Sequence, residues 1–252
     1  METEYIDKSD QKARLLVRDV SPAFANGIRR TILSGVPTMS IDDVDMYENT
    51  SVMFDEIISL RLGLVPLTTD LESYNLPDEC SCEGEGCAQC EVSLTVDIEA
   101  DDEDVTVYSS DLDSEDPEVE PVTGGIPIIK LKPGQAFTAE CKARLGKGTE
   151  HAKNQGGTAV GYTRLKRLTD EPQDEKIVRG VVETDDGELV DMEEYDNDIT
   201  EAFGEGVGVE DVPNSYVFQI ETDGSHSVEE IVEYAADSLS SRADELQSSI
   251  AP

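Results

Sequence analysis

Residues 12–20, KARLLVRDV, alternate apolar and polar positions and predict a strand. Ser21-Pro22 then opens a helix, with serine as cap and proline in the first helical position. Phe24, Ala25, Ile28, Ile32 and Leu33 form its apolar stripe, and Gly35 and Pro37 stop it. A strand over roughly 38–47 follows. A second helix is expected over about 52–62, capped by Ser51 or Thr50 and ended by Gly63 and Pro66. Val52, Met53, Ile57, Leu60 and Leu64 are its expected buried stripe.

The middle of the chain changes period. EVSLTVDIE (91–99), DVTVYSSDL (104–112), IPIIKLKPG (126–134) and AFTAECKARLG (136–146) read as strands. The turn signals between them, Gly124-Gly125, Pro133-Gly134 and Gly146, predict an antiparallel sheet. Residues 170–210 are poor in apolar side chains and predict a weakly structured insert or a small domain with little core. SYVFQIET (215–222) alternates again. A final helix starts at the capping-box spacing of Ser227 and Glu230. Val228, Ile231, Val232, Ala235, Leu239, Ala243, Leu246 and Ile250 recur at three- and four-residue steps along it. Such a stripe packs either on its own sheet or on a partner helix. Its length, about six turns, favours the partner.

Charge changes the picture. The 252 residues hold 57 Asp and Glu against 19 Lys and Arg, a formal net charge of −38, with 37% hydrophobic residues. Phosphate backbones and anionic membranes would be repelled. The same composition fits either disorder or a folded protein from a high-salt cytoplasm. The acids fall on the exposed positions of patterned segments, which favours the folded, salt-adapted reading. No stretch approaches a membrane span, and the acidic METEYIDKSD start lacks the apolar region of a signal peptide, so a cytoplasmic location is expected. Lys and Arg are missing from Leu62 to Ile129, and eleven lie between Lys130 and Arg179. That block is either ordinary compensation or a face for an acidic or phosphate partner.

Candidate chemistry is narrow. Cys80, Cys82, Cys87 and Cys90 lie in CSCEGEGCAQC, and four thiolates within eleven residues suit structural zinc. Gly84 and Gly86 let the loop turn back. An iron–sulfur cluster and a metal-free or disulfide-bonded loop are the other readings. Cys141 is expected to be a buried, inert thiol. The two histidines, His151 and His226, belong to no hydrolase, metalloprotease or dinucleotide motif, and Gly146-Lys147-Gly148-Thr149 lacks phosphate-loop spacing. No catalytic residue is expected.

SPAFANGIRRTILSGVPTMSIDDVDMYENTSVMFDEIISLRLGLVPL (21–67) resembles the alpha-like subunit family of multi-subunit RNA polymerases, in its archaeal D-type form. The resemblance rests on NGIRRTIL at Asn26–Leu33, the Val36-Pro37 break and the run from Glu56 to Leu67. It extends to GKGTEHAKNQGGTAVGY (146–162), and the four-cysteine loop is similar in spacing to the zinc loop of eukaryotic members. The implied fold is α+β. A discontinuous, interleaved dimerisation domain (1–50 and 211–252), made of an antiparallel sheet and two helices, holds an inserted mainly-β domain (51–169). Residues 170–210 stand where many relatives carry an iron–sulfur domain. They contain no cysteine, so no cluster is expected there.

The implied function is a non-catalytic assembly subunit in transcription. It would form a heterodimer with subunit L and, with subunits N and P, a platform for the two large catalytic subunits. DNA would be met only through the complex, and no membrane is involved. By position, Asn26, Ile28, Arg29, Arg30 and Ile32 in the first helix, with Leu239 and Leu246 in the last, are the implied partner contacts. The competing reading is a free-standing acidic zinc-binding adaptor.

Overall fold

The computed structural model describes residues 1–174 and 176–250. In chain order the strands are β1 (Glu2–Lys8), β2 (Lys12–Arg18), β3 (Pro37–Asn49), β4 (Val92–Ala100), β5 (Val105–Tyr108), β6 (Asp113–Ser114), β7 (Pro127–Leu131), β8 (Gln135–Lys147), β9 (Gly157–Thr169), β10 (Val181–Glu183), β11 (Leu189–Asp191) and β12 (Gly208–Thr222). The α-helices are α1 (Pro22–Ser34), α2 (Asp55–Gly63), α3 (Ile199–Phe203) and α4 (Val228–Ile250). The fold is α+β, in two compact units.

The first unit comprises 1–31, 159–221 and 236 onwards. Its sheet has the order β1-β2-β12-β9-β10-β11. β2 pairs antiparallel with both β1 and β12, whereas β9 and β10 run parallel. Leu16, Leu165, Val181 and Val217 form one small core of this unit. Ser21 caps α1 as its sequence predicts: the Phe24 amide donates to Ser21 Oγ at 3.2 Å. The expected weak insert has its own structure. Val182 of β10, Ile199 of α3 and Val209 of β12 join Val178 and Met192 in a second small core. Five apolar residues suffice here because they converge from separated positions, a feature that local composition does not display.

Besides the two-residue β6 and the short strands of 170–210, β1 and β9 escape the periodicity. β1 is almost wholly exposed, so its residues ETEYIDK have no reason to alternate; pairing with β2 alone makes it a strand. β9 is rich in Lys, Arg and Thr, and its place between β12 and β10 decides its conformation.

The second unit comprises 32–158 and 222–235. β3, β8, β4 and β6 form a four-stranded sheet in that order. β5 and β7 form a separate antiparallel pair, so the four expected middle strands are divided between two sheets. A large core covers one face and includes Met39, Ile41, Leu94, Ile128, Leu131 and Phe137.

α2 departs from its expected form. It starts three residues late because the side chain of Asn49 organises the preceding turn. Asn49 Oδ1 accepts from the Ser51 amide at 3.1 Å, and Asn49 Nδ2 donates to the Met53 carbonyl at 2.9 Å. Phe54 stands at the cap with no side-chain bond, so neither Ser51 nor Thr50 caps the helix. The buried stripe is also different: Ile58 and Leu62 are fully buried, while Val52, Ile57, Leu60 and Leu64 are exposed. Apolar residues surround this helix, so periodicity alone could not choose the face that packs.

Candidate metal centre and candidate contact helices

The cysteine loop hangs between Tyr74 and the start of β4. The Glu83 amide donates to the Cys80 carbonyl at 3.0 Å, the Glu85 amide to Cys82 at 3.1 Å, and the Cys90 amide to Cys87 at 2.9 Å. These tight turns need left-handed backbone at Glu83, Gly84 and Gly86. At Gly86 a Cβ would also fall 2.9 Å from Glu91 Oε2. The glycines therefore do what their place in the sequence suggests.

The four sulfurs lie within 4.8 Å of one another. Cys80–Cys87 is 3.5 Å, Cys82–Cys90 is 3.4 Å and Cys87–Cys90 is 3.8 Å. All four cysteines are free, and these separations exceed a disulfide bond of about 2.05 Å. A tetrahedral ion with bonds of about 2.3 Å to sulfur sets its ligands about 3.8 Å apart, so the donor set fits such an ion. Hydrogen bonding to Cys90 lowers the Cys82 thiol to about 6, whereas burial raises Cys90 to about 12. Cys141 is apart from the cluster, fully buried in β8, and burial pushes its thiol up to about 12.

One anchor of this loop lay beyond sequence reasoning. Arg144 of β8 holds Glu91, the residue after the last cysteine, and both are largely buried. With 57 acids in the chain, no single pairing could be read from spacing.

The glycine-rich 146–157 segment is an internal brace. Asn154 fills the space where a Cβ of Gly146 would stand, and its Oδ1 accepts from Ser40 Oγ at 2.6 Å. Lys153 donates to the Ile41 carbonyl at 2.8 Å and pairs with Asp42 at 2.9 Å. The basic block as a whole is compensation: among the described residues, ten of its eleven cations have a carboxylate within 4.0 Å. The bridges of Lys130, Lys132 and Lys142, for example, go to Asp104 and Asp45.

The expected partner residues fall into two groups. In α1, Asn26, Ile28 and Arg29 are half-buried and Arg30 is exposed. Arg29 donates to Asn26 Oδ1 from Nε at 3.3 Å and from Nη2 at 3.2 Å, which orients both side chains. Ile32 is the exception: its own chain buries it to 1% exposure, so it offers no surface to a partner. In α4, Val228, Ile231 and Ala235 are buried, Leu239 is half-buried, and Leu246 and Ile250 are 62% and 72% exposed. Among the described residues no helix is long and apolar enough to cross a membrane.

Residues 41–163 match the RNA polymerase Rpb3/RpoA insert domain. Over 99% of its length the chain is 48% identical to DNA-directed RNA polymerase subunit Rpo3 of Natronomonas pharaonis, covering 98% of that protein. The chain belongs to the Rpo3 family. Rpo3 of Halobacterium salinarum is 48% identical over 99% of this chain and 97% of its own length, and Rpo3 of Pyrococcus furiosus is 36% identical over 97% and 95%. Rpo3 is the D-type, alpha-like polymerase subunit, so the resemblance carried by 21–67 holds for the chain as a whole. The Rpo3 proteins of the salt-adapted archaea share more identity with it than that of Pyrococcus, in keeping with its acidity.

Proposed function

We infer that this chain is a non-catalytic assembly subunit of DNA-directed RNA polymerase. It contributes surfaces, and nucleotide addition belongs to other chains. Full-length similarity to Rpo3 proteins supports the family role. The single structural observation that carries the assembly role is α4, a capped 23-residue helix whose last turns leave Leu246 and Ile250 in solvent. An apolar stripe held out in this way is stable when a second protein covers it.

The finer assignments are these. Segments 1–50 and 211–252 form the dimerisation region, and subunit L is the partner of α1 and α4 through Ile28, Leu239 and Leu246. Subunits N and P and the two large catalytic subunits complete the platform, with Asn26, Arg29 and Arg30 on the large-subunit side. Zinc, bound by Cys80, Cys82, Cys87 and Cys90, is the structural ion: four thiolates occupy every tetrahedral position and leave none for water. The complex works in the cytoplasm and meets DNA through its other subunits.

Tagged chain recovered from native high-salt lysate tests this. The expected complex contains a small partner subunit and two very large chains. Recovery of the chain alone, zinc-loaded and stable, would favour a free-standing adaptor and overturn the assembly role.

A further inference from the structure

Resting on the assembly role above, we propose that α2 is a second docking surface, for a polymerase segment that presents apolar side chains flanked by lysine or arginine. Ile57, Leu60 and Leu64 follow the three- and four-residue steps of one helix face, and Phe54 at the cap continues it. They are 44%, 54%, 57% and 76% exposed, and Val52 just before them is 90% exposed. The opposite face already holds Ile58 and Leu62 in the core, so this helix does not need its outer apolar residues for its own packing. Five large apolar side chains in thirteen residues of so polar a surface mark a site of contact.

Charge identifies the occupant. Asp55 and Glu56 stand in the first turn of α2, and Glu48 is the penultimate residue of the preceding strand. The single cation of the helix, Arg61, is tied back through Nη1 to the Ile128 carbonyl at 2.8 Å. The next 68 residues, Leu62 to Ile129, contain no Lys or Arg. A second copy of this chain would bring another −38 charge to an acidic rim, and an anionic membrane is repelled for the same reason. An apolar centre with a basic border is the complementary surface.

A photo-crosslinking residue replacing Leu60 in the full chain, expressed in the native cell, reads the contact directly. The expected product is a crosslink within purified polymerase to a segment with apolar residues bordered by Lys or Arg. A crosslink to a second copy, to lipid or to an acidic segment, or no crosslink in an intact complex, overturns the surface while leaving the assembly role standing. Failure to recover any complex with unmodified chain overturns both. As a second measurement, the double variant Ile57→Ser, Leu60→Ser should keep its melting midpoint and lose about tenfold or more in the yield of co-purified large subunits. Unchanged yield would sink the proposal. Glu48→Lys with Glu56→Lys should weaken association by no more than about fivefold, and tighter association would remove the basic border.

Discussion

Arg144 donates from Nε and Nη2 to a single carboxylate oxygen of Glu91, at 2.8 and 2.5 Å. Arg144 faces Ser40 within the longest strand pairing of the second unit, and Glu91 follows the cysteine loop and precedes β4, so the pair fastens the loop to the sheet. Hydrogen bonding to Glu91 keeps the Arg144 guanidinium above its ordinary range. Both side chains are about one-fifth exposed, so replacing either leaves a partly desolvated charge. Arg144→Ala is expected to cost about 1–3 kcal/mol and to speed the reaction of loop thiols with a thiol reagent. Thiol kinetics identical to the parent chain would refute the anchoring role.

Zinc removal is expected to loosen the cysteine loop. Purified protein should carry one equivalent, and a chelator should lower the melting midpoint while making four thiols titratable. Cys90→Ser, at a buried ligand position, should abolish retention of the ion. Metal content well below one equivalent, with the thiols already free, would dismiss the site.

His226 gives a pH dependence. Its ring is 3% exposed, and Nε2 donates to the Pro37 carbonyl at 2.9 Å, which fixes the neutral ring with its proton on Nε2. Burial lowers its pKa below 6.5, and the bond to Pro37 opposes the shift without reversing it. Folding therefore favours the neutral ring, and the unfolded chain binds the proton more readily. Stability is present above about pH 6.5 and falls as the pH drops below that value. His226→Gln should flatten this limb of a melting-versus-pH curve, and a variant with the parent's slope would show that other groups cause it. Gly156 sits against this ring, where a Cβ would lie 2.9 Å from Cδ2, so Gly156→Ala is expected to lower the midpoint as well.

Glu183 is the ionic tie of the first unit. Burial pushes its carboxyl up, but hydrogen bonds from Arg18 at 2.6 Å and Arg167 at 3.0 Å outweigh burial and hold it below 4.5. A lowered carboxyl stabilises the fold above its unfolded value and loses that contribution as the pH falls through the folded one. Glu183→Gln should therefore lower stability by about 1–3 kcal/mol at neutral pH and reduce the loss on acidification below about pH 4.5. Equal stability of the two proteins at neutral pH would count against the tie.

Salt is the last test. With a net charge of −38, the fold is self-repulsive in dilute buffer, and molar salt shortens the screening length to about 3 Å. The melting midpoint should rise steeply from low to molar KCl, and equal midpoints would disprove salt adaptation.

Much of this was legible from sequence because local chemistry specified it. Ser21 and Pro22 fix the start of α1, Ser227 and Glu230 begin α4, and Gly84 and Gly86 gather four cysteines within one loop. The period-two strands of the middle region were legible for the same reason: their own side chains divide between core and solvent. Tertiary structure decided what depends on distant partners. It made strands of β1 and β9, gave 170–210 a core, buried Ile32 and selected Ile58 and Leu62 as the packed face of α2. It also paired Arg144 with Glu91, because among so many carboxylates only three-dimensional proximity distinguishes one from another.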